Sequence, residues 1–451
     1  MTDHANPYRI LLRAHKDPLR VASAEATLRQ DLIGGNTGNL VFSQSVRRLL
    51  STEQAQITTG IFRHPPDRIN ADFDHLVIPL ANAFRPTYAD RLDRLSELLE
   101  QLTIPVTVVG VGAQASLGGR RRDAEVLDRA VSRFVRAALR KSPTIGVRGE
   151  FTLDYLNSLG FGADEVEVIG CPSMFMYGPD LKITRKVDAL TPESPIALNI
   201  SPYVAALGPI SLDHAERYPN LIYQAQNWQT LELMINGTYP MREGAKMLTT
   251  GVPVTLDHPL IRQNRVRFFL DPRTWFEHLA QYDFSFGTRI HGNIAALLAG
   301  TPALVLAHDS RTLELAQYHR IPHRKITDLP ERPDAAELYA EADWEPLNAG
   351  HAERWETFAA FLDRHRLRHV YRPGESAERF DAELAAADFP PPVETLMGAD
   401  PERLYALKRR AASGPRRKPK LLRIDRDAGE LSVSWRVAAR RLRRVLRRSG
   451  S

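Results

Sequence analysis

The chain has 451 residues, which is too long for one ordinary core, so we expect two domains with an appendage. Its composition, 43% hydrophobic and 25% charged residues, is that of a water-soluble protein. Its single cysteine, Cys171, excludes an intramolecular disulfide framework and is typical of a reducing compartment. Neither the start, "MTDHANPYRILLRAHKD", nor any later stretch has the apolar run of a secretory signal or a membrane span, so we expect a cytoplasmic protein.

Short apolar strands alternate with helical patterns in the first half of the chain. The strand-like stretches are "RILLRA", "HLVIPL", "IPVTVVGVG", "TIGVRG" and "VEVIGC". Helical patterns cover residues 88–102 and 123–139 between them. Alternation of this kind predicts a parallel sheet covered by helices.

The second half repeats this pattern after the stretch "DALTPESP", which predicts a hinge near residue 190. Its strand-like stretches are "IALNIS", "NLIYQAQ", "RVRFFLD", "YDFSFG" and "TPALVLA". We predict α/β domains over residues 1–190 and 191–345 that face each other across a cleft, followed by a helical extension over residues 346–410.

The tail, residues 411–451, is strongly basic. The last 44 residues contain 16 Lys or Arg against 3 acids, so the net charge of +6 comes from this segment. The stretch "SVSWRVAARRLRRVLRRSGS" predicts a basic amphipathic helix that lies on anionic membranes, here at the inner face of the cytoplasmic membrane. A solvated or disordered charge run is an equal alternative. Nucleic acid is a weaker one, because Trp435 is the single aromatic residue among these arginines, too few for the base stacking that single strands need.

The stretch "FGTRIHGNIAALLAGTPALVL" places an arginine and a histidine where a strand turns into a helix. In an open parallel sheet, ligands bind at the carboxyl ends of the strands. Arg289, His291 and Gly292 follow one strand, and Ser310 and Arg311 follow the next. Both loops should open on the same side, where backbone N–H groups, helix dipoles and guanidinium groups predict a phosphate or carboxylate site.

His291 is the candidate general acid of this site. A helix N-terminus should lower the pKa of the ring and a bound phosphate should raise it, so the ring becomes charged when an anionic substrate arrives. The alternative is that Arg289 and His291 only cap helices and pair with nearby acids. For His308, in the next loop, a structural role is the commoner outcome.

Two stretches of the first half add candidates. In "TIGVRGEFTLDYLNSLGF" a strand ends at Arg148, which either reaches the ligand from the other side of the cleft or pairs with Glu150 or Asp154. In "LIGGNTGNLVFSQSVRRLL", Gly35 and Asn36 belong to a glycine-rich turn that can bring backbone N–H groups close to a ligand.

Several chemistries lack their motifs in this sequence. There is no cysteine cluster and no His-Glu-x-x-His, so we expect no metal site, and there is no Gly-x-Ser-x-Gly elbow. Arginines with one histidine and no carboxylate dyad favour transfer of an anionic group over glycoside hydrolysis.

The chain resembles the polysaccharide pyruvyltransferase family in three stretches. They are "GVRGEFTLDYLNSLGF…VEVIGCPSMFM", "FGTRIHGNIAALLAGTPALVLAHDSRTLELAQYHRIP" and, more loosely, "GGNTGNLVFSQSVRRLL". The second is the most specific, because it combines arginine, histidine-glycine, a small-residue helix, Gly-x-Pro and Asp-Ser-Arg in that order. The resemblance spans about residues 30–325 and leaves the tail outside.

The resemblance implies two Rossmann-like domains arranged as in GT-B glycosyltransferases. It also implies transfer of pyruvate from phosphoenolpyruvate to a sugar diol as a ketal, with phosphoenolpyruvate as donor substrate and no cofactor. Arg289 and His291 match the family's Arg-x-His motif for donor binding and catalysis, and Arg148 matches its Val-Arg-Gly arginine. We add Arg311, Ser310, Gly292, Gly35 and Asn36 as substrate-binding candidates.

Two other functions stay open on the sequence. A GT-B glycosyltransferase would use the same anion site for a nucleotide sugar, and a non-catalytic module would use the cleft and the tail for binding alone. The acceptor saccharide, which a lipid would carry in many such pathways, is not identified by the sequence, nor are the ketal stereochemistry, the pathway and the oligomeric state.

Overall fold

Parallel strands form two sheets in the computed structural model, which describes residues 7–60, 64–114, 124–240 and 250–396. The strands, in chain order, are β1 (Tyr8–Leu12), β2 (Ala55–Thr59), β3 (His75–Pro79), β4 (Val106–Val109), β5 (Ile145–Val147), β6 (Val166–Val168), β7 (Ile196–Asn199), β8 (Ile222–Ala225), β9 (Val266–Phe268), β10 (Phe284–Gly287), β11 (Ala303–Ala307) and β12 (His323–Lys325). The helices are α1 (Ala24–Gln30), α2 (Gly38–Leu49), α3 (Pro66–Asp72), α4 (Ala89–Gln101), α5 (Ala124–Leu139), α6 (Glu150–Ser158), α7 (Leu207–Arg217), α8 (Trp228–Asn236), α9 (Pro259–Arg262), α10 (Pro272–Leu279), α11 (Ile290–Leu298), α12 (Ser310–Tyr318), α13 (Ala335–Glu341), α14 (Glu345–Arg364) and α15 (Glu378–Ala386).

The first sheet has the strand order β2-β1-β3-β4. A parallel bridge between Val111 and Val147 continues it into β5, which pairs with β6. The order 2-1-3-4-5-6 contains the arrangement of flavodoxin-type sheets, in which the strand order reverses beside the first strand. The reversal here lies between β1 and β3.

The second sheet has the strand order β12-β11-β10-β7-β8-β9. Counted from β7, this is the 3-2-1-4-5-6 order of a Rossmann sheet, and it reverses between β7 and β10. At that point Gly287, the last residue of β10, lies opposite Asn199, the last residue of β7. Within each sheet, every pairing of neighbouring strands is parallel. This confirms the predicted α/β class with two Rossmann-like halves.

Burial explains why these segments form the core of the second half. β11, with the sequence ALVLA, is buried at every position, as expected for a parallel strand covered on both faces. α11 is buried along its whole length, and α2 of the first half packs against it. The two halves therefore meet through a pair of buried helices whose first turns lie side by side.

α14 links the cores of the two halves. Its start lies against the second half through Trp344 and Leu347, whereas Trp355, Phe358 and Phe361 pack with strands of the first sheet. The predicted helical extension thus contains α14 and α15 in its described part. The predicted domain boundaries stay predictions, because both halves lie in one compact unit, residues 1–407.

Two strands were not predicted from the sequence, β2 and β12. Both are edge strands, which pair with one neighbouring strand and are less buried than central strands. Their sequences, AQITT and HRK, therefore contain few apolar residues. In the described part of the chain, no helix has the length and apolarity needed to cross a membrane. The predicted amphipathic helix of the tail lies outside the described residues.

Candidate active site

A cleft of about 650 Å³ lies between the carboxyl edges of the two sheets. Its walls are segments that follow β1, β3, β4 and β5 in the first half and β7, β8, β10 and β11 in the second. The lining arginines are Arg13, Arg85, Arg91, Arg148, Arg289 and Arg311, and the one acid in the described lining is Asp31. The cleft is therefore strongly cationic, and it lies at the edge where parallel sheets bind ligands.

The glycine-rich turn joins the two halves at this cleft. The Asn36 side chain accepts a hydrogen bond from the Gly38 backbone N–H at 2.8 Å, and Asn36 forms a backbone bridge with Asn227. The Trp228 N–H donates to the Gly35 carbonyl at 3.1 Å. Gly35 and Asn36 both line the cleft, so the structure places these two candidates at its surface.

Arg289 is held at the reversal point of the second sheet. It is the residue before α11, and its backbone N–H donates to the Asn199 side-chain oxygen at 2.6 Å. Its guanidinium donates to the Asn227 side-chain oxygen. In the described part of the chain its buried Nε has no hydrogen-bond partner, so one donor remains for a ligand in the cleft.

His291 lies two residues further, in the first turn of α11, and is only 8% exposed. Its ring packs edge-on against Phe42, and its Nε2 lies 3.8 Å from the Cys171 sulfur. Burial, followed by the positive charges of three arginines, holds the pKa of His291 well below its ordinary value. The three are Arg148, Arg311 and Arg289. His291 is therefore neutral in the ligand-free protein at neutral pH.

Arg148 reaches the same point from the first half. Its side chain is 1% exposed, its Nε donates to the Gly110 carbonyl at 2.9 Å, and its guanidinium lies 5.6 Å from the centre of the Phe42 ring. Burial lowers the pKa of Arg148 to about 10, which still leaves it charged at neutral pH. Its buried Nη2 finds no partner among the described residues. The salt bridge to Glu150 or Asp154 that the sequence left open is not found there.

Arg311 lines the cleft beside Asp309, with its Nη2 3.2 Å from a carboxylate oxygen. Burial would raise the pKa of Asp309, but Arg311 and the hydrogen bonds from Thr312 outweigh it and bring that pKa to about 2. Asp309 also caps α12 through Thr312. Part of the charge of Arg311 is thus balanced within the protein.

Two predicted candidates lie behind the cleft surface. Ser310 is a buried first residue of α12 and is not among the described lining residues. Gly292 faces the end of the second sheet, where a Cβ would come within 2.4 Å of the Gln226 amide nitrogen and 3.1 Å of Asn199. Its glycine is explained by the close approach of α11 to the sheet, which holds Arg289 in place.

The sequence analysis missed several lining residues in the first half. Arg13 directly follows β1, so the rule that ligands bind at carboxyl ends of strands would have found it. Arg85 follows β3 after a turn, and Arg91 comes from α4, so neither has a strand end as a signal. The cluster is visible only once the fold brings these segments together.

In the described residues, no group of three or more His, Cys, Asp or Glu side chains is arranged to hold a metal ion.

One comparison with known proteins gives a family. A family model described as polysaccharide pyruvyl transferase matches residues 36–310, which is more than half of the chain and includes Asn36, Arg148, Arg289 and His291. No curated protein matches this chain.

Solved structures match only distantly. An uncharacterised protein from Klebsiella pneumoniae is 13% identical, covering 70% of this chain and 90% of its own, with a TM-score of 0.37. S. aureus MnaA with UDP is 10% identical, covering 80% and 98%, with a TM-score of 0.39. The UDP-GlcNAc 2-epimerase from Neisseria meningitidis is 12% identical, covering 79% and 100%, also with a TM-score of 0.39. Matches at this level add nothing to the strand orders described above.

Proposed function

This chain belongs to the polysaccharide pyruvyl transferase family, and from that premise we propose that it transfers pyruvate from phosphoenolpyruvate to two hydroxyls of a saccharide, forming a ketal. The observation that carries the proposal is the convergence of three arginines on a buried histidine at one end of the cleft. The family assignment does not favour the two alternatives left open by the sequence, a nucleotide-sugar glycosyltransferase and a non-catalytic module.

The charges of the donor match the charges of this end of the cleft. Phosphoenolpyruvate carries one carboxylate and one phosphate, so two or three cations are needed to hold it. Arg148 and Arg289 each have a buried nitrogen without a partner in the described residues, and Arg311 adds a third, partly balanced charge. The first turn of α11 lines the same region through Ile290 and His291 and favours an anion there, whereas the N-terminus of α12 is already capped by Asp309.

His291 is the proposed proton shuttle. Its low pKa comes from burial and from nearby positive charge, so an anionic donor that neutralises this charge raises the pKa and lets the ring take up a proton. The charged ring then protonates the methylene carbon of the donor, which makes the neighbouring carbon electrophilic. One saccharide hydroxyl adds to that carbon and gives its proton to His291, which is thereby recharged.

The second half of the reaction releases phosphate. The bond between the former enol carbon and the phosphate oxygen breaks, and the second hydroxyl closes the ketal on the same carbon. Two hydroxyl protons leave the saccharide, one to the methyl carbon and one to phosphate, so the reaction balances without an oxidant, a reductant or a cofactor. Arg148, Arg289 and Arg311 stabilise the charge that grows on the leaving phosphate.

The basic tail gives the proposal a second part. We take residues 411–451 as a peripheral anchor that brings the enzyme to acceptors carried by lipids in an anionic membrane. Deletion of the tail should lower turnover of a lipid-linked saccharide in anionic vesicles and leave turnover of a water-soluble diol unchanged. Equal loss on both acceptors would contradict the anchor.

Mass spectrometry of saccharides tests the transfer itself. The full chain is incubated with phosphoenolpyruvate and a panel of saccharides, and the expected product is a saccharide that has gained one pyruvyl ketal. A parallel incubation with nucleotide sugars should give no glycosyl transfer. Glycosyl transfer without any pyruvylated product would overturn the proposal.

A further inference from the structure

One wall of the cleft holds a second group of cations, next to the arginines proposed to bind the donor. Arg13, Arg85 and Arg91 line the cleft from the first half and surround the buried side chain of Tyr88. Arg13 Nη2 donates to the Tyr88 hydroxyl at 2.8 Å, and the guanidinium carbons of Arg85 and Arg91 lie 5.4 and 5.3 Å from the centre of its ring. We call these three residues the Tyr88 arginines.

The Tyr88 arginines have no ion-pair partner in the part of the chain that the structure describes. Arg13 Nη1 donates to the Pro79 carbonyl at 3.0 Å, and Arg85 Nε donates to the Thr87 hydroxyl at 3.1 Å, so their partners are neutral. Burial and then the charge of Arg311 lower the pKa of Arg85. Like charges at one place repel each other, and an anion that enters the cleft there relieves this repulsion.

The donor does not account for this second group. Phosphoenolpyruvate carries at most three negative charges, which Arg148, Arg289, Arg311 and His291 already face. The two groups are nevertheless adjacent. With its side-chain oxygen turned toward them, Asn82 accepts from Arg85 Nη1 and from Arg311 Nη1, each at 2.7 Å.

We propose that the Tyr88 arginines bind an anionic group, a phosphate or a carboxylate, that the acceptor saccharide carries beside its diol. The inference rests on the proposed function, because the occupant is taken to be the second substrate of the pyruvyl transfer. Since Asn82 joins the two groups, an acceptor anchored by its anion places its hydroxyls next to the donor. The enzyme then selects charged saccharides over neutral ones of the same sugar.

Isothermal calorimetry tests this selection by comparing how tightly the full chain binds a neutral sugar and the charged derivatives of the same or a closely related sugar. The probes are galactose, galactosyl phosphate and galacturonate, and N-acetylglucosamine with its glycosyl phosphate. We expect a charged member to bind at least about tenfold more tightly than its neutral counterpart, because a charge-assisted contact is gained. The phosphate and carboxylate members show which anion the site takes. If no charged probe binds more tightly than its neutral counterpart, the inference is wrong.

Variants locate the effect. Arg85→Gln with Arg91→Gln should remove the preference for the charged probe, whereas Arg94→Gln, an exposed arginine of the same helix outside the cleft lining, should keep it. If the double variant does not fold, Arg91→Gln alone replaces it, because this position is exposed. The single variant should reduce the preference for the charged probe in part. A preference that survives both variants would overturn the inference.

A second readout separates this inference from the proposed function. Phosphoenolpyruvate binding should fall in Arg289→Gln and stay within about threefold in the double variant, and the charged saccharide should show the reverse. Equal losses of both ligands in both variants would mean one shared anion site and would reject the Tyr88 subsite. A protein that binds the charged saccharide through the Tyr88 arginines but does not bind phosphoenolpyruvate would keep the subsite and reject the proposed donor.

Discussion

Two sets of buried histidines have low pKa values for different reasons. The pKa of His291 is held down by burial and by three arginines of the cleft. Burial alone brings the pKa of His75 to about 4, and burial with weaker help from charge brings that of His365 to about 3. His75 and His365 lie at the other end of the first sheet, where both rings contact the Thr107 hydroxyl, at 2.8 and 3.0 Å.

The difference separates a histidine that a ligand can charge from histidines that stay neutral. An anion entering the cleft cancels the positive charge around His291 and so raises its pKa. No cleft residue contacts the pair at Thr107 in the described part of the chain, so the same anion leaves their pKa values unchanged. Of these three histidines, only His291 is therefore expected to change its protonation when substrate binds.

Removing one cation of the cleft should have the largest effect. Arg289→Gln deletes a charge that is positioned by Asn199 and Asn227, and we expect phosphoenolpyruvate affinity to fall about 100-fold, as for loss of one partner of a desolvated charge pair. Isothermal calorimetry measures it. Arg273→Gln, on α10 and outside the cleft lining, is the control and should bind normally. Unchanged affinity in Arg289→Gln would remove Arg289 from the donor site.

Displacing His291 without removing it should have a smaller effect. A Cβ at Gly38 would lie 2.8 Å from the His291 Cβ and 2.9 Å from the Asn36 side-chain oxygen, so Gly38→Ala must push the ring. We expect kcat to fall about tenfold with little change in phosphoenolpyruvate affinity, because positioning for proton transfer is lost. Gly162→Ala has no atom within 4 Å of its new Cβ and is the control. Normal kcat in Gly38→Ala would show that the position of His291 is not critical.

The histidines at Thr107 should affect stability and not activity. The folded state favours the neutral forms of both histidines. Their contribution to the free energy of unfolding is therefore fully present above pH 6.5 and decreases as the pH drops toward 4, because the unfolded chain then binds more protons. Each such histidine contributes up to ~1.4 kcal/mol per pH unit over this range. Denaturant unfolding of His365→Gln should show a shallower pH dependence than the natural chain. A slope equal to that of the natural chain would contradict the folded-state pKa.

Proton uptake on phosphoenolpyruvate binding should be the smallest of these effects. It also distinguishes His291 most directly from the two histidines at Thr107. Calorimetry of phosphoenolpyruvate binding at pH 7, in buffers of different ionisation enthalpy, should show uptake of a fraction of a proton by the natural chain. His291→Gln should lose this uptake, and His75→Gln should keep it. Equal uptake in both variants would place the titrating group elsewhere.

The sequence pointed to the arginines and the histidine at one end of the cleft because these residues follow short buried strands. Arg148, Arg289 and His291 come directly after β5 and β10, where the pattern of buried strands gives both the fold and the edge at which ligands bind. Gly292 was predicted to contact substrate, but it packs on Gln226, since a motif does not show which side of a helix faces the sheet.

Other features depend on tertiary contacts that leave no local pattern. Arg13 meets Tyr88, 75 residues further along the chain, only because the fold brings the end of β1 next to the turn before α4. The edge strands β2 and β12 were missed because a strand that pairs on one side only needs few apolar residues, so it leaves no clear sequence pattern. The contact between Thr107 and His365 joins β4 to the end of α14 across more than 250 residues, a separation that sequence periodicity does not report.

The most direct test of the account is acceptor-dependent release of phosphate from phosphoenolpyruvate, measured for the natural chain and for His291→Gln over the same saccharide panel. The account predicts release by the natural chain with at least one saccharide, and a loss of about 100-fold or more in the variant, the usual contribution of a general acid. Release that is independent of any saccharide, or equal in the two proteins, would contradict it.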